Sequence, residues 1–306
     1  MINFLQFMVF LPIQILFIPF VILGMIPAMY KEMIVSKKLG VSFTAGQAIQ
    51  NRWIMHYLKT RPDEKTVKFI KVLPIESHFG LLCFMGAAII ANKICGYTPG
   101  LARVPEPGKE VFFNFLNTRT TNFDRIMKKN LEHVEQVVIM GAGYDLRVLD
   151  LARGRNVKIF ELDQEKTQNL KLQTMKKAGI DDNGIIYIPV DFTEESWVEK
   201  LIKNGFDKTK KTFFLWESVS IYLEEDVVKD TLIKLSKLCA KGSIIAQDFY
   251  SKAFITGETT VLIKRSLRLL EKMGEPWLFG IDMSEDAKRS MESLLNDSGL
   301  ALKDFV

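Results

Sequence analysis

The chain has few of the residues that build disulfide frameworks or metal centres. Only three cysteines and three histidines occur among its 306 residues. Cys83, Cys95 and Cys239 lack the spacing of a metal-binding motif and cannot form an even disulfide framework. We therefore predict no metal ion and a reducing compartment.

Strong charge of either sign is also missing. The formal net charge is +5, and no basic stripe interleaved with aromatic residues occurs. Nucleic-acid-binding domains usually concentrate lysine and arginine on one face. The composition therefore predicts no nucleic-acid partner.

Charged side chains are absent from residues 1–30. A helix over this range is long enough to cross the hydrocarbon core of a bilayer, which is about 30 Å thick. Pro12, Pro19 and Pro27 are expected to bend such a helix, and no basic stretch precedes it as in a signal peptide. We predict that residues 1–30 form a membrane anchor.

Basic residues follow this apolar segment and indicate its orientation. Lys31, Lys37 and Lys38 come shortly after it, so the positive-inside rule places the following domain on the cytosolic side of a single span. A second apolar run, 79–91, has only 13 residues and is too short for a confident span. We interpret this run as a buried or membrane-surface helix in a single-pass protein.

The most informative stretch is Val137-Val-Ile-Met-Gly-Ala-Gly-Tyr-Asp-Leu-Arg147. Four apolar residues run into a turn with Gly141 and Gly143, and Asp145 to Arg153 is predicted to form a helix that ends at Gly154. Glycines let a ligand approach the backbone, and a helix N-terminus offers free N–H groups. The stretch predicts a cradle for a nucleotide-like ligand, although a tight turn without a ligand is the alternative.

An acid follows the glycine turn at an informative distance. The next predicted strand, 158–163, ends at Asp163, 22 positions after Gly141. An acid at this offset can accept hydrogen bonds from ribose hydroxyls. Leu146 occupies the position of the third glycine in a dinucleotide fingerprint. The pattern therefore favours S-adenosylmethionine, which has no phosphates, over the cofactor of a nicotinamide-dependent oxidoreductase.

Strands and helices alternate through the rest of the chain. The predicted strands are 185–191, 212–217 and 243–249, and the predicted helices are 164–178, 194–204 and 224–240. Such alternation predicts a parallel sheet with helices on both faces. Ligands bind these sheets at the carboxyl ends of the strands, where Gly141, Asp163, Asp191 and Glu217 are expected.

Upstream of the first strand, a helix is predicted from Thr44 to Lys59. Proline and glycine residues in 98–108 mark a boundary before the core domain. Arg119 lies in a predicted polar turn, 117–121, between the apolar patches 111–116 and 123–127. A guanidinium held there could pair a carboxylate, whereas a solvated surface arginine is the usual alternative.

Several motifs together resemble the leucine carboxyl methyltransferase family of S-adenosylmethionine-dependent enzymes. They are Val137–Arg147, Phe160–Asp163, Val190–Phe192 and Trp216–Tyr222, with Val41–Ala45, Arg61–Asp63, Arg119–Asp124 and Gly274–Gly280. The resemblance covers about residues 41–300 and is closest to the family's small-molecule branch. It implies an α/β fold, a Rossmann-like class I methyltransferase sheet with helices on both faces, plus an N-terminal helical cap and a membrane segment.

The domain organisation that follows has three parts. Residues 1–30 are the predicted membrane anchor, and residues 31–110 form a helical cap that shapes the substrate region. Residues 111–306 are the predicted S-adenosylmethionine-binding methyltransferase domain. The oligomeric state is left open.

The resemblance also implies roles for residues of the cofactor site. Arg119 would pair the cofactor carboxylate. Gly141, in the turn that also contains Gly143, would lie against the methionine part. Asp163 would hold the ribose hydroxyls.

Further residues would complete that site. Asp191 and Phe192 would flank the adenine, and Glu217 would lie beside the methionine amine near the point of transfer. Two features depart from the family pattern. Leu146 replaces its usual threonine, and residues 301–306 can supply only a sixth strand. We therefore expect no antiparallel seventh strand, and either a shortened chain or a sheet edge that is covered in another way.

The expected reaction is in-line transfer of a methyl group to a carboxylate or hydroxyl of a small or lipophilic substrate at a membrane. An ionised carboxylate needs no base. No obvious base for a hydroxyl is present, because His78 and His133 are isolated and Tyr222 is only a weak candidate, so no catalytic residue is assigned. The alternative is a non-catalytic membrane-bound protein that binds the cofactor.

Overall fold

The computed structural model describes residues 4–106, 109, 114–182, 184–193, 196–258 and 261–305. Parts of the predicted loop 98–108, apolar patch 111–116 and helix 194–204 lie outside these ranges. The chain divides into two compact units. Unit 1 comprises Met1–Ile126, Gly143–Leu151 and Asn169–Asp182, and unit 2 comprises Met127–Ala142, Ala152–Gln168 and Asn183–Val306. The predicted boundary at residue 110 is a different division and stays a prediction.

The described residues form helices and strands that we number in chain order. The helices are α1 Phe4–Met29, α2 Ser36–Leu39, α3 Phe43–Tyr57, α4 Glu64–Val72, α5 His78–Cys95, α6 Phe115–Asn130, α7 Val148–Leu151, α8 Glu165–Ala178, α9 Trp197–Lys203, α10 Glu225–Leu238, α11 Lys252–Ile255, α12 Val261–Met273 and α13 Ala287–Asp297. The strands are β1 Gln136–Met140, β2 Lys158–Asp163, β3 Ile186–Pro189, β4 Thr212–Trp216 and β5 Ile244–Gln247.

A five-stranded parallel sheet forms the centre of unit 2. Its strand order is β3-β2-β1-β4-β5, and every pair of neighbours is parallel. All residues of β1 and β4 are buried, as expected for central strands whose two faces are both covered. The five predicted strands are therefore confirmed.

The strand order reverses its winding between β1 and β4. Crossovers between parallel strands share one hand, so this reversal places the connections of the two halves on opposite faces of the sheet. This confirms the predicted Rossmann-like class I methyltransferase sheet with helices on both faces. Ligands of such sheets bind where the winding reverses.

The predicted sixth strand is wrong. Residues 301–305, the part of this segment that the structure describes, form no strand. Gly299 adopts a left-handed conformation, with φ at 76°, at the end of α13. The backbone N–H of Leu300 then donates to the Leu295 carbonyl of the same helix at 2.9 Å. The chain therefore turns back onto α13 when it leaves that helix.

Two local predictions before and after β1 are also wrong. Residues 117–121 lie inside helix α6 and do not form a turn. The buried Nδ2 of Asn117 donates to the Leu101 and Arg103 carbonyls at 2.7 and 2.9 Å, which gives this polar donor partners within a helix. The helix predicted at 145–153 is reduced to the four residues of α7, because the side chain of Asp145 accepts a hydrogen bond from the Arg147 N–H at 2.8 Å.

Helical backbone in unit 1 continues beyond the predicted anchor, 1–30, as far as Leu39. Helix α1 continues through Pro12, Pro19 and Pro27, and a π-helical turn, Tyr30–Val35, joins it to α2. By length and composition alone, two helical segments in the described residues could cross a membrane, Phe4–Leu39 and His78–Cys95. Half of the second segment is buried, in agreement with its interpretation as a buried or surface helix.

Glu76 in unit 1 is buried beside a second carboxylate. Gln50 Nε2 donates to Glu32 Oε1 at 2.8 Å and to Glu76 Oε2 at 2.7 Å. Burial, and after it the charge of Glu32, raise the pKa of Glu76 well above its usual range. The folded state therefore binds this proton more tightly than the unfolded state. As a result, the protein loses stability as the pH rises from the usual glutamate range through the raised pKa.

We expect Glu76→Gln to remove this loss of stability. The amide keeps an oxygen for Gln50 but carries no charge, and a gain of about 1 kcal/mol would raise the melting temperature by roughly 2–4 °C at neutral pH. Thermal melts from about pH 5 to 8, above the ordinary glutamate pKa, measure the effect. Glu64→Gln, at an exposed site on α4, is the control and should leave the profile unchanged. A Glu76→Gln profile as steep as that of the parent would contradict the assignment.

Candidate functional site

Three acidic residues lie at the carboxyl ends of β2, β3 and β4, along one edge of the sheet in unit 2. Asp163 is the last residue of β2, Asp191 comes two residues after β3, and Glu217 follows β4 directly. The sheet register pairs Asp163 with Pro189, the last residue of β3. All three acids are half-buried, so they remain accessible at this edge. Their positions agree with those expected from the sequence.

The Gly141 turn needs glycine for two separate reasons. Its φ is +70°, in the left-handed region, and a Cβ at this position would overlap the side chain of Val219. The N–H groups of Gly141 and Ala142 donate to the Leu162 carbonyl of β2 at 2.8 and 3.2 Å. Hydrogen bonds therefore hold the exit of β1 to the end of β2, and Val219, which follows β4, packs directly against Gly141.

Asp191 is fixed by a turn of its own. Its Oδ1 accepts hydrogen bonds from the N–H and hydroxyl of Thr193 at 2.9 and 2.6 Å. Phe192 is half-buried, with its ring centroid 6.3 Å from that of Trp197. The turn therefore holds a carboxylate and an aromatic ring next to each other just beyond β3.

The other two predicted residues, Gly143 and Arg119, belong to unit 1. Gly143 has φ +50°, and a Cβ there would lie 3.1 Å from the Cβ of Ala45. Arg119 is half-buried on α6. The structure thus gives Arg119 a helical position, and its predicted pairing with a cofactor carboxylate stays a prediction.

Asp145, in the same motif as Gly143, is buried between two arginines of unit 1. Arg52 Nη2 lies 2.9 Å and Arg147 Nε lies 2.6 Å from Asp145 Oδ2. Lys171 Nζ donates to the Asp145 carbonyl at 2.6 Å. Burial alone would raise the pKa of Asp145, but Arg147 and Arg52 outweigh it and hold the pKa well below its usual range. Asp145 is therefore an ionised structural anchor.

Sequence reasoning missed a hydroxyl group beside Glu217. Ser218 has φ 54°, which is rare for a residue with a side chain. Its N–H donates to Asp248 Oδ1 at 2.6 Å, and its Oγ lies 2.8 Å from the Tyr250 hydroxyl. Backbone conformations of this kind often occur at functional sites. Ser218, Asp248 and Tyr250, which we call the hydroxyl cluster, lie at the exits of β4 and β5.

An aromatic cluster adjoins the hydroxyl cluster. The ring of Tyr250 stacks on those of Phe254 and Trp277 with centroids 5.9 Å away in each case. The Leu278 N–H donates to the Ile221 carbonyl at 2.7 Å, which ties the predicted motif 274–280 to the exit of β4. Aromatic side chains thus reach the same edge of the sheet as the acids.

The described residues contain no group of three or more histidine, cysteine or acidic side chains able to hold a metal ion. His78 has a packing partner, because its ring meets the edge of Trp53 with centroids 5.6 Å apart. The polar groups that the described strand ends present are carboxylates, hydroxyls and backbone groups.

Known proteins resemble this chain in its central part. Residues 102–236 match the model of the leucine carboxyl methyltransferase family. A protein of Mycobacteroides abscessus, named as an S-adenosyl-L-methionine-dependent methyltransferase, is 28% identical over 175 residues, which is 56% of this chain and 58% of that protein. YktD of Bacillus subtilis, named likewise, is 29% identical over 175 residues, 56% of each chain.

The chain matches less than two thirds of the length of these relatives. Among solved structures, a protein of Thermobifida fusca named as a methyltransferase aligns with a TM-score of 0.48 at 12% identity, over 78% of this chain and 85% of that chain. The seven predicted cofactor residues, from Arg119 to Glu217, all fall inside the range that matches the family. This match over residues 102–236 confirms the resemblance to the leucine carboxyl methyltransferase family that the sequence motifs indicated.

Proposed function

We propose that this protein is an S-adenosylmethionine-dependent methyltransferase that methylates a carboxylate or hydroxyl oxygen of a small or lipophilic substrate. The observation that carries the proposal is the sheet edge in unit 2. There the Gly141 turn, Asp163, Asp191 and Glu217 follow neighbouring strands. The names of the relatives support the same cofactor.

The residues at this edge fit the chemistry of the cofactor. Asp163 would accept hydrogen bonds from the ribose hydroxyls and Asp191 from the adenine amino group, with Phe192 beside the ring. The resemblance places the methionine part against the turn at Gly141, and Glu217 would lie beside its amine. When bound, the cofactor supplies an electrophilic methyl group on a sulfonium.

Arg119 and Gly143, both in unit 1, are the other two residues that the resemblance assigns to the cofactor. The resemblance assigns the cofactor carboxylate to Arg119, and a guanidinium is suited to such a charge-assisted hydrogen bond. Gly143 continues the glycine turn, and its positive φ keeps the backbone in a conformation that other residues rarely adopt. Both assignments rest on the family pattern and on the matched range.

The hydroxyl cluster is the group best placed to orient an acceptor oxygen. Asp248 holds Ser218, and Ser218 holds the Tyr250 hydroxyl, next to Glu217 in the chain. A carboxylate acceptor is already ionised, so alignment alone can supply an effective molarity of about 10⁵ M or more. A hydroxyl acceptor must also lose a proton. Tyr250 would take this proton while it passes its own proton to Ser218 Oγ, and Ser218 would pass its proton to the Asp248 carboxylate, along the hydrogen bonds of the cluster.

The residues around the hydroxyl cluster favour an apolar substrate as the acceptor of the methyl group. Tyr250, Phe254 and Trp277 offer stacked rings beside the hydroxyl cluster. The apolar α1 supports a site of action at a membrane, and the lysines after it support a catalytic domain on the cytosolic side. We therefore propose a lipophilic substrate that reaches the enzyme from a membrane.

Two other functions predict different results. A nicotinamide-dependent oxidoreductase would bind a dinucleotide, but Leu146, buried at the third glycine position, disfavours this. A non-catalytic membrane-bound protein would bind the cofactor without turning it over. Cofactor binding and methyl transfer are therefore tested separately.

Asp191→Ala should weaken binding of S-adenosylhomocysteine by about tenfold or more, because it removes a charged acceptor from the adenine amino group. Asp207→Ala is a matched control in unit 2. Its Oδ1 accepts from the Thr209 N–H and hydroxyl at 2.9 and 2.6 Å, the same turn as at Asp191, but it lies between α9 and β4. Calorimetric titration of both variants measures the difference.

Equal affinity of the two variants would contradict the assignment of Asp191. Failure of the parent protein to bind S-adenosylhomocysteine would overturn the proposed cofactor. Tight binding of a nicotinamide dinucleotide in the same titration would favour the oxidoreductase.

Tyr250→Phe should lower the rate constant of methyl transfer by about tenfold or more and leave cofactor affinity within twofold, since a positioned proton acceptor typically contributes at least this much. Transfer of a radiolabelled methyl group to a panel of lipophilic acids and alcohols measures the rate. Tyr222→Phe, which changes the candidate suggested by sequence, is the comparison and should stay near the parent rate. Equal losses in both variants would count against Tyr250, and no transfer to any acceptor despite cofactor binding would favour the non-catalytic alternative.

A further inference from the structure

Helix α1 packs lengthwise and antiparallel against α5 in unit 1. Near one end, Gln6 Nε2 donates to the Cys95 carbonyl at 2.9 Å, and Phe10 stacks on Tyr97 with centroids 4.4 Å apart. Near the other end, a Cβ on Gly24 would lie 2.5 Å from Cys83 Cβ. The contact thus runs from Gln6 to Gly24, about 27 Å at 1.5 Å per residue.

Glycines make this helix pair close-packed. A Cβ on Gly80 would lie 2.8 Å from the Gly24 carbonyl and 3.0 Å from Ala28 Cβ, and a Cβ on Gly86 would overlap the Phe17 ring. The more buried positions of α1 recur every three or four residues along this seam. They include Gln6, Phe10, Ile13, Phe17, Val21, Gly24 and Ala28, with Val9, Gln14 and Pro27 beside them. α1 and α5 therefore form one rigid element.

The remainder of α1 is apolar and exposed. Leu16 is 73% and Ile26 is 69% exposed, and many other large apolar side chains of the helix exceed 36%. On α5, Phe79, Phe84 and Ile94 continue this surface at 58, 53 and 64%. Contiguous exposed apolar patches in soluble monomers rarely exceed a few hundred Å², so this surface needs a cover. A bilayer fits it because α1 carries no charge at all.

Both ends of α5 belong to one polar body. Arg61, before α5, binds Asp124, after it, with Nε 2.6 Å from Oδ2. Arg52 likewise binds Asp145 in a buried pair. All four residues are in unit 1. The segments that flank α5 must therefore lie on the same side of any membrane.

This arrangement is incompatible with a perpendicular span. If α1 crossed the bilayer, α5 would cross beside it, and the chain after Cys95 would have to return to Asp124 through hydrocarbon. That return begins with Tyr97–Pro99, which is not helical, and helical hydrogen bonding resumes only over Gly100–Ala102. The chain then passes Arg103 and is held by Asn117 to α6, which carries Arg119 and Asp124, and charged side chains of this kind are costly in hydrocarbon.

We propose that α1 and α5 form an in-plane membrane anchor, a helix pair that lies along one leaflet without crossing the bilayer. α1 lies deeper, with lipid around its exposed sides, and α5 lies between α1 and the rest of unit 1. This inference deepens the membrane part of the proposed function. It leaves the cofactor and the reaction untouched.

Basic residues occur at the borders of the in-plane anchor. Lys37 and Lys38 are exposed beyond α1, and Lys93 is exposed near the C-terminal end of α5. Lysines close to a membrane surface gain about 1 kcal/mol each from anionic headgroups. The in-plane anchor is therefore expected to prefer bilayers that contain anionic lipid.

Protease protection distinguishes the possible topologies. The full chain would carry three epitope tags, one at each end and one inserted after Gly40, in the exposed turn before α3. Inside-out and right-side-out vesicles from the same bacterial host are then digested. The in-plane anchor predicts that all three tags are digested in inside-out vesicles and protected in the others.

Each other pattern overturns the proposal. A single span through α1 places the N-terminal tag opposite the other two tags. Two spans, through α1 and α5, place only the tag after Gly40 on the opposite side. A chain found entirely in the soluble fraction would show that α1 is covered by a second copy or by another protein.

Flotation with vesicles tests which surface binds. Leu16→Ser with Ile26→Ser should lower the partition of the purified protein onto phosphatidylcholine–phosphatidylglycerol vesicles about tenfold or more, because two large apolar side chains are lost from the lipid-facing side. Ile202→Ser with Val261→Ser removes two exposed apolar side chains of unit 2 and is the matched control. Equal partition of the two double variants would overturn the proposal.

The cofactor titration separates this inference from the proposed function. Both double variants should bind S-adenosylhomocysteine with the affinity of the parent, since no residue of the cofactor set is changed. Loss of vesicle binding with intact cofactor binding supports the in-plane anchor. A parent protein that binds vesicles and shows the predicted protection pattern but no cofactor affinity would overturn the proposed function alone.

Discussion

The buried carboxylate of Asp145 is the constraint on which unit 1 depends. It lies between Arg52 of α3 and Arg147, and its own carbonyl accepts a hydrogen bond from Lys171 of α8. Removing one partner of such a buried pair typically costs about 3–5 kcal/mol, because a charge is then left without compensation in a poor solvent. Segments that are distant in sequence must therefore assemble together, and Gly143, two residues before Asp145, is held where that assembly places it.

Carboxylates have different surroundings in the two units. Acids of unit 1 such as Asp145 and Asp124 are buried, and arginines form ion pairs with them, so these carboxylates stabilise the fold. Acids of unit 2 at the strand ends, Asp163, Asp191 and Glu217, are half-buried and held by turns or strand ends. A half-buried carboxylate keeps part of its surface in contact with water, whereas the Asp145 carboxylate lies buried against two arginines. One short motif therefore contains Asp145, whose charge is matched within unit 1, close to glycines that the resemblance assigns to the cofactor.

The sequence was most informative where burial alone determines structure. The five strands were predictable because they are short apolar runs between turn residues, and the acids at their ends followed from parallel topology. Predictions failed where distant partners decide. The polar run around Asn117 suggested a turn, but the Asn117 amide donates to the Leu101 and Arg103 carbonyls and the run is helical. The helix after Asp145 is shorter than predicted because the Asp145 side chain accepts a hydrogen bond from the Arg147 N–H. The strained φ of Ser218 leaves no pattern in the sequence, although Asp248 and Tyr250 at the end of a predicted strand were a usable signal that sequence reasoning overlooked.

The N-terminal region shows the same division between local and distant information. Hydropathy measures how strongly the sequence of α1 prefers hydrocarbon to water, and it depends on composition alone. The direction in which a helix enters the membrane depends instead on where its neighbours are fixed. Ion pairs between residues before and after α5 fix the position of α5. Glycines let α1 pack closely along α5, and larger residues at these positions would force the two helices apart. Affinity for a bilayer can therefore be encoded within 26 residues, while topology requires contacts that extend to Asp145.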